Sequence, residues 1–151
     1  MFSLHLKYNM KSSIFALISL SSFVLMSASC KKKDNCTAGT DGTLTVAIFP
    51  QHHGKAIPNR EDYRDTVYLK FCTQEQMALD ANKVPTDYDA VFIGEGDEDH
   101  VHIEGLSPGD YYIFINAYDT TGPYRVFGGI PFSTEQTSGE VDLNVPVSEV
   151  Q

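Results

Sequence analysis

Apolar and polar residues alternate in short runs along most of the chain. In GTLTVAIF (Gly42–Phe49) the alternation puts Leu44, Val46 and Ile48 on one face of a strand, which Pro50 should end. TVYLKF (Thr66–Phe71) repeats the pattern, with Val67, Leu69 and Phe71 to one side and Tyr68 and Lys70 to the other. Further strands are predicted at Tyr88–Gly96 and His100–Leu106. YYIFINAY (Tyr111–Tyr118) is apolar on both faces, which suits a central strand. Tyr124–Phe132 contains Gly128, Gly129 and Pro131 and so predicts a bulge or an edge strand. EVDLNVPV (Glu140–Val147) closes the pattern, with Val141, Leu143, Val145 and Val147 facing one way. Short strands separated by Gly, Pro and Asp turns predict an all-β fold, a seven-stranded antiparallel Greek-key β-sandwich over residues 42–148. One stretch departs from the alternation. TQEQMALDA (Thr73–Ala81) has Gln76 three residues after Thr73, a capping-box spacing that predicts one short helix, the alternative being an irregular loop. Pro85 prevents that helix from continuing toward Tyr88.

The first thirty residues follow another pattern. Lys7 and Lys11 precede an apolar run, Ile14–Met26, and then come Ser27, Ala28, Ser29 and Cys30. A basic start, a short apolar core and a small-residue cut site predict a cleaved signal peptide over residues 1–29, started by either Met1 or Met10. The run is too short to span a bilayer, which needs about 20 apolar residues. SASC followed by KKKD (Ser27–Asp34) resembles the signal of bacterial lipoproteins of the Bacteroidetes type, whose processed chain begins with a lipid-bearing Cys. Ser27 stands where those signals usually have Leu, and Ser27 and Ser29 also suit an ordinary signal peptidase. The resemblance implies acylation of Cys30, with palmitate among the chains, and a charged tether over residues 30–41. It also implies attachment to the outer membrane through the N-terminal lipid, facing the periplasm or the cell surface. Residues 149–151 are read as a short tail.

Composition then narrows the partners. The 151 residues carry a net charge of −9, and beyond Lys33 six basic residues face twenty acidic ones, a net −14. That balance argues against nucleic acid, which needs clustered Lys and Arg. With Cys30 acylated, Cys36 and Cys72 are left as a pair in an oxidising compartment. They either form a disulfide or remain two thiols, Cys72 buried and Cys36 exposed beside the tether.

Two passages carry a second resemblance. GKAIPN (Gly54–Asn59) leading to TVYL (Thr66–Leu69), and HIEGLSPGDYYIFINAYD (His102–Asp119), resemble the strand-connecting and "L-x-x-G-x-Y-x-V" passages of transthyretin-like and carboxypeptidase-regulatory-like domains. The closing strand VDLNVPV fits the same pattern, and the likeness implies an Ig-like or transthyretin-like sandwich. Fibronectin type III domains share an L-x-P-G-x-x-Y passage but normally bring a core Trp, and this chain has none. Leu106, Pro108 and Gly109 should make a corner, with Tyr111 burying its ring and tying its hydroxyl to backbone.

Candidate chemistry concentrates in GEGDEDHVH (Gly94–His102). His100 and His102 are two apart, so on a strand they share a face and can ligate Zn²⁺ or Cu²⁺. Asp97, Glu98 or Asp99 can add oxygen ligands, and His52 or His53 can complete the site if the fold brings that loop near. The plainer reading is a solvated acidic loop. The spaced carboxylates of an EF-hand are missing. No G-x-S-x-G elbow, P-loop, H-E-x-x-H or dinucleotide turn is present, so an enzyme is not expected. An isopeptide link from Lys70 to Asn144 with Glu104 as catalyst is disfavoured, because strand parity turns Lys70 and Asn144 out of the core. The expected function is therefore a lipid-anchored envelope module with a non-catalytic binding or structural role and no cofactor. Its partner would be an envelope protein or a glycan, meeting the Asp97–His100 loop or exposed aromatics such as Tyr63 and Tyr124. The alternative is a metal-binding envelope protein using His100 and His102.

Overall fold

The computed structural model describes residues 36–96 and 98–149. The predicted signal peptide, Cys30, the tether up to residue 35, Asp97 and residues 150 and 151 lie outside the described residues. Eight strands follow in chain order: β1 (Thr43–His52), β2 (Lys55–Ala56), β3 (Thr66–Phe71), β4 (Ala90–Ile93), β5 (Val101–Leu106), β6 (Gly109–Asp119), β7 (Tyr124–Thr134) and β8 (Ser138–Glu149). The fold is all-β, a single mixed sheet that curls on itself.

The sheet has two halves. In one, β1 lies between β8 on one side and β5 and β2 on the other. In the other, the order runs β7-β6-β3-β4, every pair antiparallel. β8 joins them, following β1 along its length and meeting β7 only at Val126↔Glu149 and Phe127↔Ser148. The inward residues of both halves close one core, with Leu44, Val46, Ile48, Val67, Leu69, Ile103, Ile113 and Ile115 fully buried. Each such side chain taken from water contributes about 2 kcal/mol, which is why period-two alternation decides the register.

Several expectations are corrected. There are eight strands rather than seven, because the two-residue β2 is too short to carry any alternation. The arrangement is not purely antiparallel, since β1 and β8 run parallel in register from Thr43↔Ser138 to His52↔Val147. Pro50 does not end β1 but lies buried within it. Its carbonyl accepts from Ile57 N at 2.9 Å, and a strand residue's N–H and C=O point the same way. The missing N–H therefore faces the gap between β5 and β2 and costs the β8 ladder nothing.

Nor does β7 carry a bulge opposite β6, for the two pair without a break from Gly109↔Thr134 to Asp119↔Tyr124. The register shift falls between β1 and β5, where Glu104 and Gly105 together oppose Thr45. The edge-strand alternative fits better, since β7 from Gly128 to Thr134 has ladder partners on β6 alone among the described residues, and β4 is a further edge that exposes Val91 and Ile93.

The predicted helix at Thr73–Ala81 is also absent, and no described residue is helical. Thr73 Oγ1 accepts from Glu75 N, as a cap would, but Asp80 Oδ1 takes the Asn82 and Val84 amides and folds a turn there. A helix this short is marginal without tertiary support, and the Asp side chain offers its backbone a competing partner. The segment instead lays Met77 and Leu79 over Tyr112 and Phe114, covering the outer face of β6. That cover explains why β6 is apolar on both faces.

Candidate functional site

Three groups of polar side chains are built on this frame. The first fastens the start of the described chain. Cys36 and Cys72 are joined by a disulfide with their Cα atoms 5.6 Å apart. Residues 36–41, assigned to the tether by sequence, lie against the corner formed by Leu106, Pro108 and Gly109. Thr37 Oγ1 donates to the Pro108 carbonyl at 2.6 Å. Tyr111 is fully buried, and its hydroxyl donates to the Ser107 carbonyl while accepting from Gly39 N at 3.0 Å. Burial pushes this phenol above its ordinary pKa. Gly109 has φ +155°, and a Cβ there would stand 2.7 Å from the Ala38 Cβ, so only glycine lets the segment pass. The corner's work is architectural.

The second group is the predicted histidine loop. His100 sits one residue before β5 and His102 within it, with their Nε2 atoms 3.0 Å apart and their rings edge to face. His100 Nδ1 lies 2.7 Å from Asp99 Oδ1, and this hydrogen bond holds the Asp99 carboxyl below the usual range. Glu98 Oε2 is 3.5 Å from His102 Nδ1. Glu98, His100 and His102 each bring one ligand-type atom within 4.8 Å of the others, as a metal site requires. Phe49 packs on the His100 ring at 4.9 Å. A cleft of about 320 Å³ lies alongside, between the edges of β4 and β5, and Glu95, Glu98 and Glu104 make it acidic.

Asn59 sets the shape of this loop. Buried, it donates from Nδ2 to the His100 carbonyl at 2.8 Å and accepts at Oδ1 from Asp65 N, while its own amide donates to the Glu98 carbonyl. Asp65 beside it is buried, and its Oδ2 has no hydrogen-bond partner. Desolvation raises its pKa to about 7, against a smaller lowering by a hydrogen bond with the Tyr118 backbone.

No family model matches the chain, and no curated protein or solved structure shows significant similarity to it.

The third group was not anticipated as a unit. His52 and His53 do not complete the His100–His102 set, and each pair has its own acidic companion. His52, at the end of β1, is buried and brings Nδ1 to 2.6 Å from Asp119 Oδ2 at the end of β6. Asp119 Oδ1 accepts from both the amide and the hydroxyl of Thr121, at 2.8 and 2.7 Å. The His52 contact, reinforced by Thr121, holds the Asp119 carboxyl below its usual pKa. His53 and Gly54 both have positive φ, 50° and 74°, and make the two-residue turn of the β1–β2 hairpin. His-Gly there does the work of the Asn-Gly pair common in such turns, a signal carried locally by QHHGK. Asp119, Thr121 and Glu149 were missed because no local spacing links them to His52.

Among the remaining expectations, Tyr124 is exposed, whereas Tyr63 is partly buried against Tyr118, rings 5.2 Å apart. Lys70 pairs with Asp87 at 2.6 Å and Asn144 with Gln51 at 2.5 Å, so the crosslinking trio is not assembled.

Proposed function

We propose that this protein is a lipid-anchored module of the bacterial cell envelope, attached at the outer membrane through Cys30 and acting by binding or scaffolding rather than by catalysis. The observation that carries this reading is the fastening of the chain just beyond the tether. The disulfide from Cys36 to Cys72 belongs with an oxidising compartment. Together with the Tyr111 hydrogen bonds, it places any pull from a membrane anchor on covalent bonds and buried groups. Within the curled mixed sheet we read a β-sandwich of the transthyretin-like, carboxypeptidase-regulatory-like kind, supported by the two apposed halves and the Tyr111 corner. The experiment is palmitate labelling of the full chain and of Cys30→Ser, followed by membrane fractionation. Label in the outer-membrane fraction, lost in the variant, is expected. Label retained by the variant overturns the placement of the lipid, and label absent from both overturns the anchor.

A second reading is favoured by the 3.0 Å approach of the His100 and His102 Nε2 atoms beside Glu98. It makes the protein a Zn²⁺- or Cu²⁺-binding envelope component. Metal content of protein purified without a histidine tag tests it. About one equivalent more in the parent protein than in His100→Ala/His102→Ala is expected, and equal metal content in the two ends this reading.

A further inference from the structure

The ends of β1, β6 and β8 bring together a second set of metal-type donors, separate from the His100–His102 loop. We propose that His52, His53 and Glu149 form a divalent transition-metal site, best suited to zinc, with Asp119 as the positioning residue for His52.

The argument starts from the His52 ring. An ionised carboxylate only accepts hydrogen bonds, so the 2.6 Å contact with Asp119 places the imidazole proton on Nδ1. In the neutral ring the Nε2 lone pair is then free to ligate. Asp119 is itself held by the two Thr121 bonds, so the ring has both a fixed tautomer and a fixed direction. Metal-binding histidines use this arrangement, a carboxylate behind the nitrogen that does not touch the ion.

The free nitrogen faces an acidic oxygen at the wrong distance for a hydrogen bond and near the right one for a shared ion. Glu149 Oε1 is 3.9 Å from His52 Nε2. Zinc bound tetrahedrally to one nitrogen and one oxygen at about 2.1 Å holds those two atoms roughly 3.4 Å apart. A half-ångström adjustment of the exposed Glu149 side chain closes the difference.

The third donor depends on the turn. Consecutive strand residues point to opposite faces, so His53 should face away from His52. Its left-handed backbone, φ 50°, swings the ring back until the two imidazole centroids are 4.1 Å apart. One ligand-type atom from each of His52, His53 and Glu149 then lies within 4.8 Å of the others. The His52 side chain is 5% exposed and that of Glu149 43% exposed, so the set is walled on one side and open on the other. That leaves a coordination position for water or an exchangeable ligand, next to a pocket of about 240 Å³. The His100–His102 loop is a separate set of donors, with Glu98 as its acidic member.

The test uses the full chain, purified without a histidine tag, stripped of metal by chelation and titrated calorimetrically with zinc chloride. His100→Ala/His102→Ala removes the other cluster and should still bind about one equivalent of zinc. On that background, His53→Ala and Glu149→Gln should each weaken binding by more than about 100-fold, beyond the roughly 10–100-fold typical of losing an outer-shell partner alone. Glu149 is exposed, so Glu149→Gln should leave the metal-free thermal midpoint unchanged, whereas His53→Ala, at φ 50° in the turn, should lower it slightly. Cobalt(II) gives the independent readout, with intense four-coordinate visible bands in the background protein that fade in Glu149→Gln. A background protein that takes up no zinc overturns the proposal, as does undiminished affinity after either further substitution.

Discussion

His52 and Asp119 are separated by 67 positions in the chain, yet their side chains meet at 2.6 Å in a buried pair that ties the end of β1 to the end of β6. Removing one partner strands the other. Asp119→Ala leaves the His52 Nδ1–H without its acceptor, and urea titration at pH 7 should show a loss of about 1–3 kcal/mol. Because the Asp119 pKa is depressed on folding, its contribution is complete above the ordinary carboxylate range and is lost as pH falls through the folded value. The parent and Asp119→Ala should therefore converge in stability in strong acid.

Asp65 has the opposite sign. Its folded pKa of about 7 lies above the unfolded 3.8, so folding takes up a proton between those values. Stability from this group is full below pH 4 and is lost as pH rises toward and through 7, a swing on the order of 4 kcal/mol. Asp65→Asn cannot ionise. It should flatten the stability profile across that interval and exceed the parent protein in urea titrations at pH 8.

Replacing both cysteines with serine, Cys36→Ser/Cys72→Ser, releases a crosslink between residues 36 apart. Chain entropy puts the expected loss at about 4 kcal/mol. Dithiothreitol should lower the urea midpoint of the parent by a similar amount and leave the double variant unmoved.

At the corner, Tyr111→Phe keeps the buried ring but removes the hydroxyl that serves Gly39 and Ser107. A cost of about 1–2 kcal/mol is expected. Gly109→Ala should cost more, because its Cβ meets Ala38 and its φ of +155° disfavours any side chain. Thermal midpoints of the two variants should fall in that order, with Gly109→Ala the lower.

Much of this fold was legible because burial on one face forces alternation. Leu44, Val46 and Ile48, Val67 and Leu69, and Val145 and Val147 all turn inward where period two puts them. Tyr111 was legible because a Pro-Gly corner two residues before an aromatic is a local signal. The features that were not legible are non-local. Strand direction leaves no mark on alternation, so the parallel course of β1 and β8 could not be read. The helix expected at Thr73 lost to Asp80 and to the demand of Tyr112 and Phe114 for cover, which no local window contains. Of the histidines, His100 and His102 were visible as a pair because two residues separate them. The His52 cluster draws its other members from β6 and β8, so only the folded chain assembles it.

The parallel ladder that matches Thr43 to Ser138 also dictates the order in which the molecule can form. A hairpin closes as soon as its second strand is made, but β1 must wait unpaired on its β8 side while nearly all the rest of the domain emerges. Contacts this distant in sequence slow folding, because the chain entropy of closing the loop is lost before the ladder forms. A chain delivered N-terminus first across a membrane therefore stays incomplete until its last strand is through, and it seals only on the far side.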